Sequence, residues 1–189
     1  MKKALVLFAD GFEEIEALTV VDVLRRGEVD CLMCSTSDTK CVKGAHDVNI
    51  QCNILLKQVN PSDYGALIIP GGMPGAENLR DNDEVINLVK RFNSENKILG
   101  AICAGPIVFE KAGVLKEISA TSYPGFKDKL HAGKYIENKV VVQDKNIITS
   151  RGPATAPYFA FKILENLTDK DTADNIKNDM LISFVENVI

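Results

Sequence analysis

One of the five cysteines follows an apolar run and precedes a proline-led segment, and its neighbours are small. The stretch Gly100-Ala101-Ile102-Cys103-Ala104-Gly105 has the pattern of a nucleophile elbow, in which a reactive side chain lies at a sharp turn from strand to helix. Helix N-terminal amides carry partial positive charge and favour a thiolate. We therefore expect Cys103 to be reactive with a lowered pKa. The alternative is a buried structural cysteine, which is common.

A glycine pair follows another predicted strand, in the sequence Pro70-Gly71-Gly72. Glycine lets a backbone N–H approach a reacting atom closely, and such donors stabilise oxyanions. We expect the Gly72 and Ala104 amides to share one oxyanion. The alternative is a plain turn.

Three glutamates, Glu13, Glu14 and Glu16, open the first predicted helix. A glutamate there often only complements the helix dipole. Glu16, however, lies between Ile15 and Ala17, and a carboxyl in apolar surroundings tends to stay protonated. We expect Glu16 to donate a hydrogen bond to the Cys103 sulfur and to act as its proton partner.

The other cysteines, Cys31, Cys34, Cys41 and Cys52, do not have the dense spacing of a disulfide scaffold. This usage favours a reducing compartment. Cys31 and Cys34 have the spacing of a metal or redox motif, but in a strand they point to opposite faces. Only His46 and His131 are available to complete a metal site, so we expect none there.

The bulk properties describe one ordinary globular domain over residues 1–189. The net charge is -4 without a long basic run, which argues against nucleic acid as a partner. No apolar segment approaches the roughly 20 residues of a bilayer span. The N-terminal apolar stretch is too short for a signal peptide and soon reaches Asp10. We expect a cytoplasmic protein without membrane contact.

Apolar runs alternate with helix-period segments along the whole chain, which predicts a parallel sheet with helices on both faces. This is an α/β, doubly wound sandwich. The first loop is acidic, and none of the loops matches a Walker or dinucleotide fingerprint, so we expect no cofactor. Strands are predicted at Ala4–Phe8, Cys31–Ser35, Ala66–Pro70, Ile98–Ile102 and Ile147–Ser150, and less clearly at Val48–Cys52 and Lys139–Val142. Helices are predicted near Glu14–Arg26, Glu84–Asn93, Pro106–Ala112 and Thr155–Asn166.

The last segment carries an apolar helical stripe. Its pattern predicts a single terminal helix docked on the domain. The stripe consists of Ala173, Ile176, Met180, Leu181, Phe184, Val185 and Val188.

Four ordered motifs together resemble the ThiJ/PfpI superfamily, closest to the branch of a human parkinsonism-linked deglycase and its bacterial relatives. The resemblance covers Lys3 to about Leu167. The motifs are Ala9-Asp10-Gly11-Phe12-Glu13-Glu14-Ile15-Glu16, Leu67-Ile68-Ile69-Pro70-Gly71-Gly72, Ala101-Ile102-Cys103-Ala104-Gly105-Pro106 and Thr149-Ser150-Arg151-Gly152-Pro153.

The resemblance implies a flavodoxin-like sandwich that forms a homodimer. It also implies that Cys103 is an oxidation-sensitive nucleophile beside a protonated Glu16, with Gly72 and Ala104 as backbone donors. Two positions depart from relatives. Ala104 stands where the protease-like branch has histidine, and Tyr123 stands where the human protein has a histidine near the nucleophile, so Tyr123 is a candidate substrate-binding residue.

The sequence leaves three hypotheses about function. The first is a cofactor-free glyoxalase or deglycase that acts on methylglyoxal, glyoxal or their early adducts through Cys103 and Glu16. The second is a redox sensor or oxidative-stress chaperone that uses the same cysteine. The third, a cysteine hydrolase, lacks a histidine base next to the nucleophile.

Overall fold

The main sheet has seven strands, in the spatial order β10-β11-β7-β6-β1-β2-β5. The computed structural model describes residues 2–188. All neighbouring strands are parallel except β10 and β11, which pair antiparallel at one edge. The strands are β1 (Lys3–Phe8), β2 (Asp30–Ser35), β5 (Ile54–Leu55), β6 (Ala66–Ile69), β7 (Ile98–Ile102), β10 (Val141–Asp144) and β11 (Ile147–Ser150).

Helices cover both faces of this sheet, because its central strands are apolar on both sides. The buried side chains of α1 and α5 pack on one face, and those of α2, α3 and α4 pack on the other. The predicted doubly wound α/β sandwich is therefore confirmed. The helices are α1 (Glu14–Arg26), α2 (Gly75–Arg80), α3 (Asp83–Ser94), α4 (Pro106–Ala112), α5 (Ala156–Leu167), α6 (Lys170–Asp179) and α7 (Ile182–Val188).

The five clearly predicted strands lie where expected, and the two weaker ones have different roles. The segment predicted at Val48–Cys52 does not join the main sheet. It forms β4 (Asn49–Gln51), which pairs antiparallel with β3 (Cys41–Lys43) in a separate ribbon. The segment predicted at Lys139–Val142 begins later, as β10. A second small ribbon pairs β8 (Ser119–Ala120) with β9 (Lys134–Tyr135).

The prediction of a single docked C-terminal helix is wrong. Leu181 adopts a left-handed φ of 59°, which ends the helical path and separates α6 from α7. Ala173 is buried in the core at 4% exposure, whereas Phe184 and Val188 are each 62% exposed. The apolar stripe is thus docked only in its first half. No helix within the described residues combines the length and the hydropathy that a bilayer span requires.

Three loops matter for function because they leave the carboxyl ends of adjacent strands. The loops after β1, β6 and β7 lie side by side in the strand order β7-β6-β1. Ligands of open α/β sheets bind at this edge, where the strand order reverses. In this sheet the order reverses beside β1, since β2 lies on one side of it and β6 on the other.

Candidate active site

The loop after β6 lies between the two residues predicted to carry the chemistry. The Gly71 N–H donates to Glu16 Oε2 at 2.8 Å. A Cβ built on Gly71 would lie 2.6 Å from the same Glu16 oxygen and 2.7 Å from Cys103 Cβ. Only glycine fits between them, so the Pro-Gly-Gly run is what allows Glu16 and Cys103 to approach each other.

Cys103 lies at the sharp turn that its flanking residues predict. Its φ of 62° falls in the left-handed region, which costs an L-residue about 1–2 kcal/mol. Two hydrogen bonds hold the turn: the Cys103 N–H donates to Ser150 O at 3.1 Å, and Cys103 O accepts from the Tyr123 N–H at 2.9 Å. The side chain is partly exposed, so a reagent can reach it.

Glu16 is fully buried, and only one of its carboxyl oxygens is satisfied. Oε1 has no hydrogen-bond partner of acceptable distance and angle among the described residues. Burial raises the pKa of Glu16 to about 7; interactions with the Cys103 thiol and the Gly71 N–H lower it, and the charge of Glu13 raises it. The carboxyl is therefore close to half protonated at neutral pH.

The predicted low pKa of Cys103 is wrong, and the cause is burial. Desolvation raises the pKa of this thiol, and the charge and hydrogen bonding of Glu16 raise it further, while the Ala104 N–H lowers it. The helix that should favour a thiolate, α4, begins only at Pro106 and has 7 residues. Cys103 and Glu16 titrate as a coupled pair, and burial favours the neutral form of each group.

Two backbone donors lie beside the nucleophile, and the Ala104 N–H interacts with the Cys103 sulfur. Neither the Gly72 N–H nor the Ala104 N–H donates to a protein oxygen in the described part of the chain. Gly72 has a φ of 89°, and a Cβ there would lie 2.3 Å from Glu13 N, so this backbone approaches the helix start more closely than any other residue type would allow. N–H groups that have no oxygen acceptor in the protein are what an oxyanion site requires.

Tyr123 is adjacent to Cys103 through its backbone and not through its phenol. Its side chain is 49% exposed, and its ring Cδ2 would lie 3.5 Å from a Cβ on Gly152. The phenol makes no hydrogen bond to Cys103 or Glu16. Tyr123 thus forms part of the surface next to the site without replacing an imidazole.

Sequence reasoning missed His46, which lies in the turn between β3 and β4. Its backbone N–H donates to Glu14 Oε1 at 2.7 Å, and its Nδ1 lies 2.7 Å from Glu14 Oε2. Glu13 Oε2 is 3.8 Å from the same ring nitrogen. One atom from each of these three residues lies within 4.8 Å of the others, so they have ligand types and spacing that a metal ion could use. The one signal in the sequence that could have drawn attention to His46 is that the chain has only two histidines.

The Cys31 and Cys34 side chains lie in the core layers on opposite faces of the sheet, as expected for a strand. Burial raises the pKa of each thiol to about 12. Cys41, in contrast, is exposed. Burial and a raised pKa both disfavour reaction at Cys31 and Cys34, and Cys41 is the other accessible thiol.

Comparison with known proteins finds a matching family, similar sequences and similar structures. The family model described as DJ-1/PfpI matches residues 2–166. Protein dj-1beta of Drosophila melanogaster is 36% identical over 97% of this chain and 98% of its own length. The glutathione-independent glyoxalase DJR-1.2 of Caenorhabditis elegans is 36% identical, covering 96% of this chain and 97% of that protein. The structure of oxidized Toxoplasma gondii DJ-1 superposes with a TM-score of 0.91 at 36% identity, over 95% and 97% of the two chains.

Proposed function

Since the chain belongs to the DJ-1/PfpI family, we propose that it is a glutathione-independent glyoxalase that uses Cys103 and Glu16 without a cofactor. The observation that carries this proposal is the buried Glu16 carboxyl, which has one unpaired oxygen and accepts from Gly71, the residue that packs against Cys103. The relative named as a glutathione-independent glyoxalase supports it. The substrates are methylglyoxal and glyoxal, or the early adducts that they form with proteins.

The first step is addition of sulfur to the aldehyde. Above pH 7 the pair carries one proton, and Glu16 accepts it from Cys103 as the sulfur bonds to the aldehyde carbon. The electron pair of the C=O bond moves to oxygen, where the Gly72 and Ala104 N–H groups stabilise the charge. Glu16 then returns the proton to this oxygen, which gives a hemithioacetal and leaves a free carboxylate.

The second step moves hydrogen between neighbouring carbons. The Glu16 carboxylate removes the proton from the sulfur-bearing carbon and delivers it to the former ketone carbon, while the hydroxyl proton passes between the two oxygens. The product is a thioester of lactate. Water hydrolyses the thioester and regenerates the thiol, so methylglyoxal plus water becomes lactate with no external oxidant or reductant.

The test is lactate formation from methylglyoxal in the absence of glutathione. We expect the native protein to form lactate and Cys103→Ala to form none above the uncatalysed rate. Cys41→Ala is the matched control, because it removes the other accessible thiol and should retain activity. Comparable product from Cys103→Ala would remove the enzymatic proposal.

A redox function is the second candidate, and the backbone donors beside Cys103 favour it. Peroxide oxidises a thiolate to sulfenate with release of water, and a second equivalent gives sulfinate. The charged product would accept hydrogen bonds from Gly72 and Ala104. Mass mapping after mild peroxide should find Cys103 oxidised before Cys41. Oxidation of Cys41 first would contradict this candidate.

The exposed apolar side chains of α7 support a homodimer, since a second copy would cover them. They are Phe184, Val185 and Val188, and Leu181 is exposed directly before the helix. Sedimentation should give twice the monomer mass, and Phe184→Asp should lower it toward the monomer. A native protein that sediments as a monomer at micromolar concentration would contradict the proposal.

The five free thiols support a reducing, cytoplasmic location.

A further inference from the structure

The structure assigns a positioning role to Thr155: its hydroxyl fixes the peptide group whose carbonyl holds Cys103 at the elbow. This role rests on the proposed function, because it prepares the nucleophile for the same reaction. Three features of the molecule support it. They are the strained backbone of Cys103, the single peptide group that joins the two residues, and the direction in which the Thr155 hydroxyl makes its hydrogen bonds.

The backbone of Cys103 needs external support to keep its conformation. Its φ of 62° lies in the left-handed region, which L-residues disfavour. The net free energy of one hydrogen bond is of the same order as this strain, so the loss of one bond is enough to let the turn relax. The bond from the Cys103 N–H to Ser150 O, at 3.1 Å, is the one that leads to Thr155.

One planar peptide group connects the elbow to Thr155. The carbonyl of Ser150 and the N–H of Arg151 belong to the same trans peptide, in which the two groups point in opposite directions. The carbonyl accepts from Cys103, and the Arg151 N–H donates to Thr155 Oγ1 at 3.2 Å. The Gly152 N–H donates to the same oxygen at 3.0 Å. The hydroxyl therefore holds this peptide plane from the side opposite the nucleophile.

A second contact reaches the same peptide group through the Ser150 side chain. Ser150 is fully buried, and its Oγ lies 2.7 Å from Thr155 Oγ1 and 2.7 Å from Val140 O. Thr155 also closes its own turn, since its N–H donates to Gly152 O at 2.9 Å. The loop after β11 is thus built around one hydroxyl. A methyl group in its place would leave the Arg151 and Gly152 N–H groups without this acceptor.

The Thr155 hydroxyl does not stabilise the helix that follows it. Thr155 directly precedes α5, and a threonine in that position commonly accepts from an N–H of the first helical turn. Here the side chain makes no such bond, and Pro157, the second residue of the helix, has no N–H to offer. The oxygen is directed back into the loop. Its removal should therefore affect the elbow more than the helix.

The first experiment compares Thr155→Val with Thr155→Ser. Valine has nearly the shape of threonine but no hydroxyl, whereas serine keeps the hydroxyl. With methylglyoxal we expect kcat of Thr155→Val to fall about tenfold with little change in KM, because a misplaced nucleophile slows the chemical step. Thr155→Ser should restore most of kcat. Native kcat in Thr155→Val, or an equal loss in both variants, would overturn the positioning role.

The matched control is Thr168→Val, at the other end of α5. The Thr168 hydroxyl donates to Leu164 O at 2.7 Å, so this variant also removes a half-buried hydroxyl that is bound to the backbone. The two threonines are separated by the length of α5, about 18 Å. We expect Thr168→Val to unfold at lower urea and to keep native kcat. A loss of kcat as large as in Thr155→Val would show a general effect of stability and would overturn the positioning role.

A second measurement tests the elbow without turnover. The rate of iodoacetamide alkylation at Cys103 is divided by the rate at the exposed Cys41 in the same sample. Burial raises the pKa of the Cys103 thiol and disfavours its reaction, so a relaxed elbow that admits water should raise this ratio several-fold in Thr155→Val. Thr155→Ser and Thr168→Val should keep the native ratio.

The alkylation ratio also separates this inference from the proposed function. If the native protein forms no lactate but the ratio rises in Thr155→Val, the glyoxalase proposal fails and the positioning of Cys103 by Thr155 stands. A native ratio in Thr155→Val would overturn the positioning role, whatever the turnover.

Discussion

Glu14 and Glu16 lie two residues apart in the first turn of α1, and their carboxyl groups have opposite properties. Burial raises the pKa of Glu14, but two hydrogen bonds from His46 outweigh it, and the net pKa is lowered. Glu16 is fully buried, and desolvation raises its pKa to about 7, although the Gly71 N–H and the Cys103 thiol interact with the carboxyl group and lower it. The same helix end therefore carries one carboxylate that is stabilised as a charge and one that is not.

The difference shows what distinguishes a structural carboxylate from a reactive one. Donors directed at both oxygens of Glu14 make its charged form stable, so it has little tendency to exchange a proton near pH 7. Glu16 is fully buried, and desolvation keeps its pKa close to the working pH. Its Oε1 has no partner that would offset this burial. Burial of the Glu16 carboxyl lowers the stability of the folded protein, and the same burial allows the group to exchange a proton near neutral pH.

The largest expected effect is on turnover. Glu16→Gln keeps the shape of the side chain and an acceptor for the Gly71 N–H, but it cannot exchange a proton. We expect methylglyoxal turnover to fall by about 10²–10⁴-fold, the range of general acid–base groups. Glu110→Gln serves as the control, since it removes a carboxylate paired with His131 outside the site. Native turnover in Glu16→Gln would remove Glu16 from the mechanism.

The pH dependence of kcat/KM should follow the Glu16 carboxyl. The reactive form of the pair carries one proton and appears as the pH rises through about 7. We expect kcat/KM to rise about tenfold per pH unit below that value and to level off above it. Stopped assays between pH 5 and 9 measure the profile. A rate that falls as the pH rises through 7 would show that Glu16 must be protonated before sulfur adds.

The stability of the folded protein should fall as the pH rises, whereas its activity should rise. The folded-state pKa of Glu16 lies above its ordinary value of 4.5, so the folded state loses stability as the pH rises from about 4.5 through 7. The loss reaches about 3 kcal/mol at alkaline pH. Glu16→Gln removes the ionisation, and we expect it to unfold at higher urea than the native protein at pH 8 and at equal urea at pH 4. Lower stability of the variant at pH 8 would contradict the burial argument.

Glu14→Gln should have the smallest effect, and it should lower stability at neutral pH where Glu16→Gln raises it. This carboxylate contributes stability at neutral pH, because its charged form accepts both His46 hydrogen bonds, and the contribution is lost as the pH falls through its lowered pKa. We expect a loss of about 1 kcal/mol at pH 7 and a smaller loss near pH 3, measured by urea unfolding. A gain in stability at pH 7 would show that the two glutamates do not differ as described.

Local sequence patterns predict much of the arrangement around Cys103. Cys103 between small residues at the end of an apolar run predicts the elbow, since only a tight turn joins that strand to a helix led by Pro106. Gly71 and Gly72 predict close backbone approach for a similar reason. Such features depend on residues adjacent in the chain, and their steric requirements are the same wherever the segment lies in the fold.

The tertiary structure decided the properties that depend on distant neighbours and on solvent. His46 meets Glu14 only because the ribbon of β3 and β4 lies against the start of α1, and no periodicity links residues so far apart in the chain. The high pKa of Cys103 follows from desolvation, which flanking residues do not reveal. The exposure of Phe184 and Val188 follows from the turn at Leu181. Sequence determined which side chains can react, and packing determined how much water and charge surround each of them, which is what sets their proton affinities.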